Sequence, residues 1–464
     1  MANSPTHKQP DLLPATLDRI PKPGHPRGWG RLIGATTALA ISEYAARTGR
    51  PVLVLCDDPR QADRLEAETR FFADAALDIL HFVEWETLPW DSFSPHQDII
   101  SQRLSVLAEL PSLKRGIVIA SAPALLQRLP PVDYVTARSL SLRQGQELPR
   151  EPFIDSLVST GYYRVPQVRE HGEFAVRGSL IDVFPMGTSE PIRIDFFDDD
   201  IESLRRFSPE TQLSGELIES VRLLPAREVP LDAEDIKKFR SRYRERFEGQ
   251  PGKSRVYREL SDGIAHGGVE YYLPLFFETT TNLLDYLPDD CVVIAPDGLA
   301  AVFDTAWHEI EERYELCRLD PERPILGAEE TFFTPEAVEQ DLRRLGRIHY
   351  SNQSLIENTD NLNLPTAMSP ALRIEARFEN PAGPLIAFLL EFPGRVLFTT
   401  ESAGRREQLF DLLSGHGLDL ERATGWQDFR NSTTRIGVAI APLENGVVLA
   451  DSNLAIISEQ QLFG

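Results

Sequence analysis

Cysteine is scarce in this sequence, and the three cysteines do not form a metal-binding or redox pattern. Cys56, Cys291 and Cys317 lie far apart, with neither a C-x-x-C pair nor the spacing of zinc ligands. Scattered thiols of this kind are typical of the reducing cytoplasm, where disulfides rarely persist. The sequence therefore predicts a cytoplasmic protein with no disulfide and no metal site.

Long apolar runs are also missing. No stretch approaches the roughly 20 consecutive apolar residues that a membrane helix requires. The first residues lack the charged and apolar regions of a signal peptide. The 464 residues, of which 42% are hydrophobic and 26% charged, predict instead a globular protein of several domains.

Positive charge is in deficit. The chain has 48 Lys and Arg residues against 71 Asp and Glu residues, which gives a formal net charge of −23. A protein that binds duplex DNA needs clustered basic side chains to displace counterions from the phosphates. Free DNA is therefore not the expected partner, and a protein partner fits the charge better.

A complete nucleotide-binding loop is absent as well. The motif G-x-x-x-x-G-K-[ST] holds phosphate oxygens with backbone amides and neutralises them with its lysine. Residues 30–37 read GRLIGATT, in which the glycines are one residue too close and no lysine precedes the threonines. The fragments VLVLCDD at 52–58 and GKS at 252–254 resemble parts of nucleotide sites without the rest. We therefore expect neither nucleotide hydrolysis nor a bound cofactor.

The order of the predicted elements divides the chain into six segments. Alternating strands and helices predict an α/β domain with a mostly parallel sheet, in two parts. Period-two alternation with turn residues at each break predicts an antiparallel β-rich insertion between those parts. The predicted bounds are 1–28 for a flexible, proline-rich lead-in, 29–130 and 226–350 for the α/β domain, 131–225 for the β-rich insertion, 351–370 for a linker, and 371–464 for a small separate α/β domain.

Within the insertion, residues 192–197 predict a strand with one buried and one outward face. Ile192, Ile194 and Phe196 share the buried face, and Arg193 and Phe197 share the other. Arginine beside an exposed aromatic ring is typical of a recognition patch. The alternative is that a loop covers Phe197 and that Arg193 pairs with a nearby acid. We also predict one strand over 174–184, a turn at 198–200 and a strand over 201–207.

Two other segments invite a functional interpretation. Residues 84–97 contain His96, which could form a catalytic pair with Asp91 or Asp98, but no nucleophile or metal partner accompanies it. We expect a loop that packs through its aromatic side chains. The helix predicted over 232–247 is the most basic segment, and we interpret it as a solvated or interdomain helix, with nucleic-acid binding as the alternative.

Two runs of residues carry a family resemblance. GYYRVPQVREHGEFAVRGSLIDVFPMG and the following PIRIDFFDDDIESLRRFSPETQ resemble the UvrB-homology module, which the excision-repair helicase UvrB shares with the transcription-repair coupling factors. EWETLPWDSFSPHQDIISQRL, at 84–104, is similar to the coupling-factor segment LPYDSFSPHQDIISSRL. The incomplete P-loop also matches the coupling factors, because UvrB retains the motif.

The resemblance implies a fold, a partner and contact residues. The fold is α/β, with a degenerate P-loop NTPase-like (UvrB-like) domain, an inserted antiparallel β-rich domain and a following small α/β domain. In the family the β-rich domain binds the repair protein UvrA through two arginines and a phenylalanine, which correspond to Arg177, Arg193 and Phe197. The implied function is a monomeric, non-enzymatic adaptor that binds UvrA and recruits nucleotide excision repair to stalled RNA polymerase. The alternatives are a UvrB-type helicase that loads onto damaged DNA, and a DNA-binding module.

In the coupling factors, further domains follow the region that this sequence resembles. Those domains bind RNA polymerase and translocate on DNA with intact ATPase motifs. The resemblance therefore implies contacts with RNA polymerase and DNA only through domains beyond this sequence, and we expect no motor activity from the chain itself.

Overall fold

The structure, a computed structural model, describes residues 12–247, 251–374 and 381–464. The strands are β1 Arg27–Gly30, β2 Pro51–Cys56, β3 Ile79–Phe82, β4 Gly116–Ser121, β5 Leu140–Arg143, β6 Tyr163–Arg164, β7 Glu173–Arg177, β8 Leu180–Val183, β9 Ile192–Phe197, β10 Asp200–Phe207, β11 Ser214–Ile218, β12 Ser220–Leu223, β13 Val292–Pro296, β14 Gly346–Tyr350, β15 Asn361–Asn363, β16 Thr366–Ala367, β17 Arg395–Thr400, β18 Glu421–Arg422, β19 Ile436–Ile440, β20 Val447–Leu449 and β21 Leu454–Ser458.

The α-helices are α1 Thr36–Thr48, α2 Pro59–Phe72, α3 Gln97–Glu109, α4 Val132–Ala137, α5 Arg150–Ser159, α6 Ala233–Arg246, α7 Arg255–Ser261, α8 Leu299–Cys317, α9 Ala328–Thr331, α10 Pro335–Leu342, α11 Gly383–Glu391, α12 Ala403–Gly415, α13 Trp426–Asn431 and α14 Glu459–Phe463. Short 3-10 helices lie at Ala15–Asp18, Leu110–Ser112, Ala122–Leu126, Pro251–Lys253, Val269–Leu275 and Leu283–Tyr286. Among the described residues, no helix combines the length and apolar character needed to cross a membrane.

The first sheet has seven strands, all parallel, in the order β15–β1–β14–β13–β2–β4–β3. Every residue of the central strands β2 and β4 is buried, as expected for strands covered on both faces. Strands β1 to β4 precede the β-rich segment and β13 to β15 follow it, so both parts of the chain build one sheet. The predicted α/β class with a mostly parallel sheet is confirmed.

The second sheet has six strands in the order β11–β10–β9–β8–β7–β6 and is antiparallel except for the β6–β7 pair. Its inner face packs on α5, where Phe153 and Leu157 share an apolar cluster with Ile192, Ile194 and Phe196. An antiparallel pair, β5 with β12, stands where the chain enters and leaves this sheet. The antiparallel β-rich segment is therefore confirmed, and so is the predicted inner face of β9.

Our prediction of a single strand over residues 174–184 is wrong. The chain reverses at Gly178, whose φ of +62° lies in the left-handed region that favours glycine. Arg177 then pairs with Leu180, which makes a β7–β8 hairpin with a two-residue turn. The Gly-Ser turn signal lies inside an otherwise alternating run, so the period alone did not reveal it.

The third sheet has mixed strand directions and the order β16–β20–β21–β17–β19–β18. Trp426 and Ile456 of this region belong to the same apolar cluster as Trp29 and Val54 of the first. The Trp426 ring lies 5.1 Å from the ring of Phe72, in an edge-to-face arrangement. The C-terminal α/β region thus has its own sheet and packs directly on the first.

The described part of the predicted lead-in and the predicted linker both pack against the sheets. Leu13 and Leu17, in the described part of the predicted lead-in, are buried in the apolar cluster that the first and third sheets share; residues 1–11 lie outside the described residues. The predicted linker contributes β15 to the first sheet and β16 to the third. Both segments are rich in proline or asparagine, which is typical of loops. Their buried stretches are short and depend on tertiary contacts, so the sequence pattern did not predict them.

Candidate partner-binding face and a closed nucleotide loop

The register of the second sheet brings the three predicted contact residues to one face. Arg177 lies opposite Leu180, and Leu180 lies opposite Asp195, so these three share a face. Asp195 is two residues from both Arg193 and Phe197, which period two places on that same side. We call this side, opposite α5, the outer face; its members on the strands include Arg177, Leu180, Asp182, Arg193, Asp195, Phe197, Ser203, Arg205 and Leu217.

The Phe197 side chain is 73% exposed at the end of β9. The alternative in which a loop covers this ring is therefore wrong. An aromatic ring left in water forgoes the free energy of burial, so its presence on a rigid sheet favours a contact surface. Leu213 and Leu217, beside and on the edge strand β11, are exposed as well.

Arg193 is held within the chain. Its Nε donates to Asp182 Oδ1 at 2.7 Å and its Nη2 donates to Asp182 Oδ2 at 2.9 Å, while Asp182 itself is 1% exposed. Its Nη1 donates to Ser214 Oγ at 2.9 Å, and the guanidinium lies 4.9 Å from the centre of the Phe207 ring. The hydrogen bonds to the aspartate raise the pKa of Arg193. Arg193 therefore pairs with a nearby acid, as the alternative interpretation stated. Its hydrogen bonds connect β8, β9 and β11 across the outer face.

Arg177 is exposed at the β7–β8 turn, and its Nη2 donates to the backbone carbonyl of Pro166 at 2.9 Å. Sequence reasoning placed Arg177 in the patch only through the family resemblance, whereas the register now places it there by geometry. It missed Arg205, which lies on β10 directly opposite Arg193. The alternation of β10 would have revealed that neighbour if the register with β9 had been known.

Buried polar contacts join the β-rich segment to the first sheet. Arg103 on α3 donates from Nε to Glu228 Oε1 at 2.5 Å, and both side chains are fully buried. Glu228 follows β12, where the chain leaves the second sheet, so this pair ties that exit to α3. Farther along the junction, His171 places Nδ1 2.6 Å from Asp98 Oδ1 and Nε2 2.7 Å from the carbonyl oxygen of Thr188. These contacts fix where the outer face stands.

Residues 31–36, from the end of β1 to the first residue of α1, resembled an incomplete nucleotide-binding motif in the sequence and are closed off by other parts of the chain. The amide of Arg31 donates to the carbonyl of Gln353 at 2.8 Å, and the amide of Ala35 donates to that of Asn445 at 3.1 Å. Gly34 has a φ of +56°, and a Cβ added to it would collide with the backbone of Gly446. Amides that hold phosphate in a working P-loop therefore face protein carbonyls here.

A cavity of about 540 Å³ lies beside this loop. Arg64 is the one basic side chain among its lining residues, and it already forms an ion pair with Glu444 at 2.9 Å. Glu68, also in the lining, is buried, and burial raises its pKa to about 7. The cavity therefore lacks an unpaired basic side chain that could neutralise the negative charge of a triphosphate.

The two fragments that resembled nucleotide motifs cap helices. Asp58, at the end of β2, accepts the amide of Gln61 at 2.8 Å and begins α2. Ser254 of the GKS sequence accepts the amide of Tyr257 at 3.3 Å and begins α7. Within the described residues, no group of three or more His, Cys, Asp or Glu side chains is placed to hold a metal ion.

The two remaining candidate segments, residues 84–97 and the basic helix α6, both pack against the rest of the protein. Trp85 and Trp90 are buried around Tyr271, as expected for a loop that packs through its aromatic residues. The basic helix α6 buries Phe239 and Tyr243 along one stripe, so it packs on the domain and is not solvated on all sides.

Comparison with known proteins agrees with this architecture. Residues 140–229 match the UvrB interaction domain family, and residues 388–462 match the family described as MFD, D3 domain. The chain is 37% identical to the transcription-repair-coupling factor of Haemophilus influenzae over 438 residues, which are 94% of this chain and 38% of that protein.

Two further relatives show the same coverage. The transcription-repair-coupling factor of Escherichia coli is 37% identical over 444 residues, and that of Bacillus subtilis is 23% identical over 460. Each alignment covers more than nine tenths of this chain, and the chain spans about 38% of the length of these relatives. The chain is therefore a homologue of the transcription-repair-coupling factor family, matching the N-terminal region of its members and containing a UvrB interaction domain.

Proposed function

We propose that this chain is a non-enzymatic adaptor that binds UvrA through the outer face of its β-rich domain. The observation that carries the proposal is the exposed Phe197 ring, on a rigid sheet and on the same face as Arg177 and Arg193. The match of residues 140–229 to the UvrB interaction domain supports it. In the cell, this contact would recruit nucleotide excision repair to stalled RNA polymerase, which is consistent with the name of the relatives.

The three residues contribute in different ways. Phe197 offers a ring to be buried by the partner, and Arg177 offers guanidinium N–H groups for charge-assisted hydrogen bonds. Arg193 uses four hydrogen bonds to hold Asp182, the carbonyl of Gln212 and Ser214. We infer that Arg193 supports binding chiefly by keeping the outer face in shape.

We further propose that the first sheet belongs to a degenerate P-loop NTPase-like domain without nucleotide chemistry. The incomplete motif, the closed loop and the paired Arg64 all disfavour phosphate binding. Phosphate release from ATP and Mg²⁺ should stay at background, with or without DNA. Turnover that survives repurification would contradict this and favour the UvrB-type alternative.

The adaptor proposal is tested by calorimetric titration of UvrA into the chain. Phe197→Ala should weaken binding about 30-fold, the effect of removing a side chain worth about 2 kcal/mol at a contact centre. Phe93→Ala is the matched control, because Phe93 is 58% exposed but lies outside the β-rich domain. The control should bind like the unmodified chain, and both variants should keep their melting temperature. Unchanged binding by Phe197→Ala would remove the assignment.

A further inference from the structure

Arg205 is a half-buried residue on the outer face whose guanidinium has no partner in the part of the chain that the structure describes. It lies on β10, directly opposite Arg193 on β9 and Leu217 on β11. Among the described residues, no ion pair or hydrogen bond reaches its side chain. A guanidinium has five N–H donors, so this one presents unused donors at the centre of the face.

The neighbours of Arg205 increase the cost of leaving it unpaired. Like charges directly opposite each other on adjacent strands are destabilising, and Arg205 faces Arg193. The two acids of the outer face on β8 and β9 have other partners: Asp182 holds Arg193, and Asp195 accepts the Ser179 hydroxyl at 3.1 Å. Among the described residues no carboxylate pairs with Arg205, which leaves its guanidinium available to an acid of a partner.

An exposed apolar side chain stands beside Arg205. Leu217 is 56% exposed, and β11, its strand, forms the edge of the sheet. Phe197 lies on the same face but four residues further along β9 than Arg193, opposite Asp200. An arginine beside an exposed leucine has the composition of an interface, where a carboxylate can be shielded from water as it pairs.

We propose that Arg205 binds an aspartate or glutamate of the protein partner directly, and that Leu217 packs against the same segment of that partner. The proposal rests on the adaptor function and extends its contact surface from β9 across β10 to the sheet edge. Arg193 is then a positioning residue, and Arg205 is the arginine of this row that touches the partner.

The test is titration of UvrA into Arg205→Glu, with Arg206→Glu as the matched control. Arg206 is the next residue along β10, lies opposite the inner-face residue Ile192 and pairs with Glu190. Arg205→Glu should weaken binding at least about 30-fold, because a carboxylate would then face a carboxylate, and Leu217→Ser should weaken it about tenfold. Arg206→Glu should stay within about threefold.

Thermal unfolding separates a contact role from a structural one. Arg205→Glu replaces a like-charge pair with an opposite-charge pair beside Arg193, so its melting temperature should stay equal or rise. Binding by Arg205→Glu equal to that of the unmodified chain, while Phe197→Ala still loses binding, would overturn this inference alone. No binding by the unmodified chain would overturn it together with the adaptor function.

Discussion

At the scale of single residues, the decisive contact is the pair between Arg193 and Asp182. Asp182 is 1% exposed, so removing Arg193 leaves a buried carboxylate without its counter-charge. We expect Arg193→Ala to lower the free energy of unfolding by about 3 kcal/mol, as measured by urea denaturation. Any loss of UvrA binding in this variant would then follow partly from instability.

The comparison for this prediction is Arg177→Ala. Arg177 is exposed, and its side chain makes one hydrogen bond among the described residues, to the Pro166 carbonyl, so its loss should change stability by less than about 0.5 kcal/mol. If both variants were equally stable, the pair with Asp182 would not support the face as we describe.

The sequence predicted the relation between residues on the same strand, but not the pairing between residues on different strands. Period two correctly separated Ile194 from Phe197, because both lie on one strand. It could not show that Asp182 meets Arg193, since that depends on the register between β8 and β9, which residues 184–191 connect. The partner of an arginine is set by strand register, which a single strand pattern does not determine.

At the scale of elements, the loop between β1 and α1 depends on close packing at Gly34. A side chain there would meet the backbone of Gly446 and would occupy a left-handed conformation. Gly34→Ala should cost about 3 kcal/mol, the sum of strain and overpacking. Hydrogen exchange of the Ala35 amide should accelerate in this variant, because its acceptor is the carbonyl of Asn445.

Gly49 provides the control for backbone strain alone. It ends α1 with a φ of +64°, and a Cβ there would meet nothing within 4 Å. Gly49→Ala should therefore cost only about 1 kcal/mol and leave the Ala35 amide protected. Equal losses in the two variants would show that the 445–446 segment does not close the loop.

The missing lysine of this loop was evident from the sequence, but its closure was not. The carbonyls that cap its amides come from residues 353 and 445, which are far away in the chain. A local motif indicates what a loop could bind. Whether distant parts of the chain already occupy the hydrogen-bonding groups of that loop is seen only in the folded structure.

At the scale of the whole molecule, the sequence predicted the α/β and antiparallel sheets but not the contacts between the sheets. Long alternating patterns identified the sheets because burial imposes a period on many residues at once. Leu13, Leu17 and strands β15 and β16 are too short for such a signal, so packed segments were predicted to be loose. The C-terminal region packs on the first sheet through the apolar cluster that contains Trp29 and Trp426.

The central claim, that UvrA binds the outer face, is tested most directly by hydrogen exchange of the chain with and without UvrA. Amides of β9, β10 and the edge strand β11, together with the β7–β8 turn, should exchange more slowly in the complex. The basic helix α6 and the closed loop at 31–36 should be unchanged. Protection of α6 without any change across 192–218 would contradict the claim and place the partner elsewhere on the chain.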